Sequence, residues 1–450
     1  MKSNKMFNDL LKLSFPTMMA MVLQSVYDIV DMAWVGRISS EALAGVTLFS
    51  TIMAIFLFLN EIIGASSISL ISQNYGRGDY ERTNRVAEQT ITFKVFVALI
   101  AAFLLYFLLE PILKLYSKDP KIIEAGLNYG RLRIYFLPMF FASYSINTIF
   151  RCAGDSKTPF YIMLLATVVN LILDPILMFD QIPYMPFKGF GLGVKGAALA
   201  TVISIFISFA VGLVIIFKGK GIIKLSLKGL FRLDYEIDEA LIRIGFANGV
   251  QVLFRFLFAA VIIKFVSYYG DYAISAFGVG SKIYGFAFFP ISGLSMGGSV
   301  IAGQKLGEDN IELAEECARV TGFFGAFIML VFCVYIMFNA QTLVGLFSGE
   351  KEVLELGAGM ITYSTIMLPL LAYGFGLAVV FYGSGYNLPI FIAGLVSQWF
   401  IQLPLLFLTV SVLHLPIKFM YSTYMLADLG HFLTMLFYYK RGKWKYSRVS

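Results

Sequence analysis

Gln24, Tyr27, Asp28 and Asp31 stand at i, i+3, i+4 and i+7 in the stretch QSVYDIVDMAWVG, residues 24–36. On a helix turning about 100° per residue they share an arc of roughly 100°, a polar stripe on an otherwise apolar surface. A single polar residue in such a place serves to hydrogen-bond one helix to another. Four stacked residues that include two acids fit a cation or proton site better. A second pair, Asn170 and Asp174 in VVNLILDPILMF, repeats the i, i+4 spacing, and Thr201 in GAALAT adds a hydroxyl. Pro175 removes an amide donor and frees a carbonyl one turn earlier. That carbonyl could serve a bound cation or water, or the proline could simply mark a break in the helix. Carboxylates held close together in a low dielectric cannot both stay ionised cheaply, so at least one must hold a proton or a cation.

The surroundings of these residues follow from composition. The 450-residue chain is 58% hydrophobic and only 14% charged, with 44 Phe. It breaks into apolar segments that reach or pass the roughly 20 residues needed to span a bilayer. Twelve are expected, near 12–36, 44–71, 89–110, 127–150, 159–180, 193–217, 241–267, 275–302, 318–340, 355–383, 388–411 and 416–439. This predicts an all-α polytopic membrane protein. The short alternating segments of a β-barrel are absent, and the N-terminus runs into the first span without the pattern of a removed signal peptide.

With the N-terminus placed inside, 21 Lys and Arg fall on the inner side and ten on the outer. Lys94, Arg255, Lys264 and Lys282 lie within spans. The net charge of +7 therefore reads as membrane topology with both termini cytoplasmic rather than as nucleic-acid binding. Three cysteines without paired spacing and two histidines argue against a disulfide framework or a Cys/His metal site, and no cofactor is expected. An acid inside a membrane is a functional candidate by default. Glu61 could bind a cationic substrate or sit at an interface, and Arg255, Lys264 and Lys282 could pair with acids or reach toward the membrane surface.

Sliding the chain by 231 residues lays the second half on the first. Pro138 falls on Pro369, Gly154 on Gly385, Gly76 on Gly307 and Gln73 on Gln304. Six spans per half make these parallel repeats, related by an axis along the membrane normal. The expected organisation is an N-terminal lobe at 1–217, a basic cytoplasmic linker at 218–240, a C-terminal lobe at 241–440 and a basic tail at 441–450. The linker reads as a solvated stretch with an amphipathic helix on the inner leaflet, or as a site for anionic lipid. The acids are not repeated: Asp31 falls on Ile262, Asp28 on Ala259, Gln24 on Arg255 and, after a two-residue gap, Asp174 on Leu403. Ion chemistry should then belong to the first half.

Pro16 followed by QSVYDIVDMAWVGR, then ISQNYGRGD, RCAGDSKTPF, NLILDPILMF and LGVKGAALATVIS in that order, resembles the multidrug and toxic compound extrusion (MATE) transporters over nearly the whole chain. The resemblance implies twelve helices in two lobes forming a V around a central cavity. It also implies export of lipophilic, often cationic compounds in exchange for H⁺ or Na⁺. Coupling residues of members with an N-lobe site match Asp31, Tyr27, Asn170, Asp174 and Thr201, with Gln24 and Asn147 nearby, and Na⁺ could bind at Asp31, Asn170, Asp174 and Thr201. Pro16 matches a proline at which the first helix is proposed to bend. Another branch binds Na⁺ through a glutamate in the seventh span and an aspartate in the tenth. Here the first position is Arg255 and LPLLAYGFGLAVVFYGSG holds no acid. Position 28 is commonly neutral in the family, so Asp28 is a departure.

The expectation is a monomeric secondary antiporter of the cytoplasmic membrane, not an enzyme, with small lipophilic substrates and the bilayer as its partners. A lipid or polysaccharide-precursor flippase is the nearest alternative, though such proteins tend to have more spans and an arginine-rich cavity. A lipid-modifying membrane enzyme would need a concentrated His/Asp/Glu cluster, and ATP-driven pumping would need a phosphate-binding loop that does not occur.

Overall fold

The computed structural model describes residues 2–183, 186–218 and 223–449. Among them the chain is helical, with a lone antiparallel bridge between Gln181 and Lys188 in the loop after the fifth span. The first half comprises α1 (Lys2–Gly36), α2 (Ser40–Arg77), α3 (Tyr80–Tyr116), α4 (Pro120–Tyr135), α5 (Leu137–Cys152), α6 (Lys157–Met178) and α7 (Val194–Phe217). A single turn, α8 (Leu227–Leu230), leads to the second half. There follow α9 (Tyr235–Val266), α10 (Asp271–Gly307), α11 (Ile311–Gly345), α12 (Lys351–Thr365), α13 (Leu368–Ser384), α14 (Leu388–Leu395), α15 (Leu403–Leu406) and α16 (Ile417–Arg441). All twelve expected spans fall on a helix or a helix pair. Nine single helices among the described residues are long and apolar enough to cross a membrane, and the bent pair α12–α13 makes a tenth. The other two are the pair α4–α5 and the more polar α16.

The repeat is visible in the devices that begin and end these helices. Asp79 caps α3 by accepting from the Arg82 amide at 2.9 Å. Asn310, at the equivalent position, caps α11 by accepting from the Leu313 amide at 3.0 Å. Gly154 and Gly385 both take a positive φ, 87° and 76°, where a side chain would be strained. Pro138 and Pro369 each open the second segment of a broken fourth span, where a missing amide costs no helical hydrogen bond. The break before Pro369 bends the pair by 46°.

Two compact units divide the chain, Met19–Arg243 in one and Ile244–Ser450 with Met1–Met18 in the other. Helix α1 thus contributes to both, and it continues through Pro16. In the Met19–Arg243 unit, Phe49, Leu105, Leu109, Leu113, Tyr129 and Ile134 form a core between α2, α3 and α4. The opposite face of α3 exposes Phe96, Leu99, Ile100, Phe103, Leu104 and Phe107. That is the i, i+3, i+4 stripe of a surface facing lipid.

The linker differs from the expected amphipathic helix. From 223 to 234 it holds only the four-residue α8, residues 235–240 already belong to α9, and the stretch is strapped to the start of α3 by paired polar groups. The Ser226 amide donates to Glu88 at 2.6 Å, Thr92 donates to the Leu230 carbonyl at 2.7 Å, and Arg85 pairs with Asp234 at 2.5 Å. These bonds hold backbone that a continuous helix would have used internally. Residues 219–222 of the expected linker lie outside the described residues. At the other end, Trp444 is fully buried, Lys445 pairs with Glu315 and Arg448 with Asp309, so residues 443–448 pack back on the unit.

Candidate functional site

Helix α1 separates its polar stripe into two environments. Tyr27 and Asp31 are 5% and 6% exposed, whereas Gln24 and Asp28 are exposed on the helix surface. The arc shared by the four is wide enough that its flanks, about 100° apart, meet different surroundings. On the open flank the Gln24 amide donates to Asp28 Oδ1 at 3.0 Å.

On the buried flank, α7 meets Tyr27. Ser204 spends its own proton on the Thr201 carbonyl at 2.8 Å, so it is the Tyr27 hydroxyl that donates to Ser204 Oγ at 3.0 Å. The Thr201 hydroxyl, also within reach of Tyr27, bonds the Ala197 carbonyl at 3.0 Å. Helix α7 can come this close to α6 because residue 196 is glycine. A Cβ there would sit 2.5 Å from the Leu177 carbonyl oxygen.

From α4, the Tyr129 hydroxyl donates to Asp31 Oδ2 at 3.0 Å and accepts from Arg133 Nη1 at 3.0 Å. Packing fixes the tyrosine ring edge-on to Phe49, with centroids 5.6 Å apart. Arg133 therefore acts on Asp31 through an intermediary, and Asp31 makes no direct ion pair among the described residues.

Helix α6 supplies Asn170 and Asp174, both fully buried, with the Asn170 amide donating to Asp174 Oδ1 at 3.0 Å. Pro175 lies within this helix without ending it. Asp174 is within electrostatic reach of Asp31. Asp31 Oδ1, Asp174 Oδ2 and Asn170 Oδ1 are buried and have no hydrogen-bond partner. A buried oxygen without a partner is costly, and an uncompensated anion far more so. Carboxylate, amide and hydroxyl oxygens of this kind are of the chemistry that suits a proton or a hard monovalent cation. Among the described residues no three His, Cys, Asp or Glu side chains come together as a metal site.

The remaining candidates stand elsewhere. Asn147 on α5 is half-buried with Oδ1 lacking a partner. Glu61 on α2 is half-buried, accepts from Asn60 at 3.3 Å and lies within electrostatic reach of Lys94. Lys94 is fully buried with its ammonium 4.6 Å from the centre of the Tyr144 ring. Arg255, Lys264 and Lys282 are all exposed, and Arg255 lies over the Phe256 ring. Arg255 belongs to the unit that lacks the Asp31 cluster.

Tyr129, Arg133 and Ser204 are partners that sequence reasoning passed over. Arg133 falls within the expected 127–150 span. Its spacing four residues after Tyr129 on a helix was the available signal.

Comparison with known proteins bears on the family and the fold. The MatE family model matches residues 16–176 and again 248–408, one copy per repeat. The probable multidrug resistance protein YoeA of Bacillus subtilis is 29% identical over 361 residues, covering 80% of this chain and 76% of that protein. The multidrug export protein MepA of Staphylococcus aureus is 22% identical over 376 residues, covering 83% and 81%. Among solved structures, the Vibrio cholerae MATE transporter VcmN in its bent form superposes with a TM-score of 0.89 at 20% identity, over 99% of both chains. A MOP superfamily transporter from Pyrococcus furiosus gives 0.89 at 20%, over 97% and 95%. At that identity the structures speak to the fold alone, but the doubled family match covers well over half of the sequence. The chain belongs to the MatE family of multidrug efflux transporters.

Proposed function

We propose that this protein is a secondary antiporter of the cytoplasmic membrane that exports lipophilic, often cationic compounds in exchange for H⁺ or Na⁺. Its coupling ion binds at Asp31 and Asp174, with Asn170, Thr201 and Tyr27 completing the site. The observation that carries this reading is the pair of buried carboxylates in one unit, each with an oxygen that no described residue satisfies. A protein gains nothing in stability from such a pair, and an ion that binds there in one conformation and leaves in another supplies the differential affinity that drives alternation. Tyr129 and Arg133 bias Asp31 from α4, and Pro16 is the point at which α1 can flex between its two parts. Asp28 and Gln24 stand apart from the ion and tune access to it.

Right-side-out membrane vesicles loaded with ethidium test the exchange when a pH gradient and a Na⁺ gradient are imposed separately. Uphill movement driven by one gradient alone names the ion. Equal movement with neither gradient present contradicts antiport.

A further inference from the structure

The repeat that lacks acids at the positions of Asp31 and Asp174 carries one in a different place. Asp428 and His431 stand one turn apart on α16, each 6% exposed. At the 231-residue offset they fall on Ala197 and Ala200, beside Thr201 in the sixth span of the first half.

Around them is a ring of aromatic side chains. The Tyr284 hydroxyl of α10 is within hydrogen-bonding reach of Asp428, and Tyr424 lies within its electrostatic reach. The Tyr284 ring packs against Tyr424 with centroids 6.1 Å apart and against Phe288 at 5.3 Å. Phe288 meets Phe375 at 6.1 Å, and Phe375 stacks on the His431 imidazole at 5.3 Å and 19°. Asp428 Oδ2 and His431 Nδ1 are both buried without a hydrogen-bond partner.

Among the described residues Asp428 makes no salt bridge. Helix α16 packs against α12, α13, α14, α15, the wound segments Val396–Gln402 and Phe407–Val412 and the turn Lys443–Lys445. Helices α13, α14 and α15 and the two wound segments contain neither a carboxylate nor a basic side chain. Lys351, Glu352 and Glu355 of α12 are exposed, as is Lys282 of α10, and at the far end of α16 Lys443 is exposed and Lys445 pairs with Glu315. The groups that face Asp428 are Tyr284 and Tyr424, with His431 one turn along its own helix. A hard metal ion takes about six or more oxygen ligands, and one carboxylate with tyrosine hydroxyls offers fewer. The positive species that fits is a proton.

We infer that Asp428 is a proton-exchanging site of the unit that contains α16, separate from the Asp31 and Asp174 cluster. The proton adds to Oδ2, the Tyr284 hydroxyl bonds the carboxyl group, and His431 offers Nδ1 as the next acceptor on the same helix face. The inference goes beyond the proposed antiport and stands whichever ion the first cluster binds. Its test reads protonation rather than transport, so the two can fail independently.

Infrared difference spectra of the full-length protein in lipid nanodiscs, taken between mildly acidic and mildly alkaline buffer, read protonated carboxyl groups directly. A carbonyl stretch should be lost on going alkaline, be missing in Asp428→Asn and persist in Asp31→Asn and Asp174→Asn. Tyr284→Phe should move it to higher frequency by removing a hydrogen bond. Asp428→Glu keeps a carboxyl group and should shift the band even if the asparagine variant folds poorly. A difference spectrum unchanged by both substitutions at 428 would overturn the inference, as would an Asp428 band that stays constant across the titration.

Discussion

The Tyr129 hydroxyl donates to Asp31 Oδ2 at 3.0 Å, and its own oxygen accepts from Arg133 Nη1 at 3.0 Å. The arginine thus reaches the carboxylate through a neutral group, which holds Asp31 in place without locking it into an ion pair. A direct buried pair would compete with the coupling ion for the same charge. Tyr129→Phe removes the relay and leaves a buried acceptor bare, a change worth about 1–3 kcal/mol. The expected outcome is reduced ethidium efflux with an altered pH profile, while Asp28→Asn leaves efflux largely intact. Initial efflux rates measured in vesicles across a pH series check both.

Glu61 and Lys94 give a separate prediction. Lys94 is buried with its ammonium lacking a hydrogen-bond partner, and Glu61 is an acid within its electrostatic reach, so loss of that acid leaves the buried charge less compensated. Glu61→Gln should therefore lower the melting temperature of the purified protein, and adding Lys94→Met should restore it. If Glu61 instead binds substrate, the double variant will recover stability but not transport of organic cations. Thermal melts and efflux assays on the same preparations separate the two roles.

The approach of α7 to α6 depends on the missing side chain at 196, where a Cβ would lie 2.5 Å from the Leu177 carbonyl oxygen and 2.6 Å from the Leu177 carbonyl carbon. Gly196→Val should force the helices apart and withdraw Ser204 from Tyr27. Overpacking of this kind costs about 1–3 kcal/mol. The variant is expected to reach the membrane with a lowered melting temperature and impaired efflux, and Gly278→Ala, where no neighbouring atom lies within 4 Å, serves as the comparison for a glycine lost without crowding.

Most of the architecture was legible because the bilayer restricts the choices. A span must be helical and long, so apolar length alone located the twelve segments. Prolines and glycines that coincide at 138 and 369, or 154 and 385, exposed the repeat because each marks a backbone event that few residues allow. The helical stripe brought Tyr27 and Asp31 to notice, but periodicity cannot say which flank of an arc is covered. That is why Gln24 and Asp28 emerged in the open. Tyr129 and Arg133 were missed because their role depends on which helix packs against α1, a tertiary fact without local signature. Asp428 and His431 have no such signal, because at the 231-residue offset they fall on Ala197 and Ala200, away from the acids of the first half. The linker was misread because its basic, intermittently apolar sequence suits an amphipathic helix, whereas Glu88, Gln89 and Thr92 of α3 capture its backbone groups instead.

The central claim is that the positive species which completes the Asp31 and Asp174 cluster drives export. It is tested most directly by ethidium efflux from vesicles containing equal amounts of wild type, Asp31→Asn and Asp174→Asn, each under the gradient that powers the wild type. An amide keeps the size of the carboxyl group and removes the charge that binds the ion. The account predicts that both variants insert in the membrane and lose gradient-driven efflux. Undiminished efflux in either variant would contradict it.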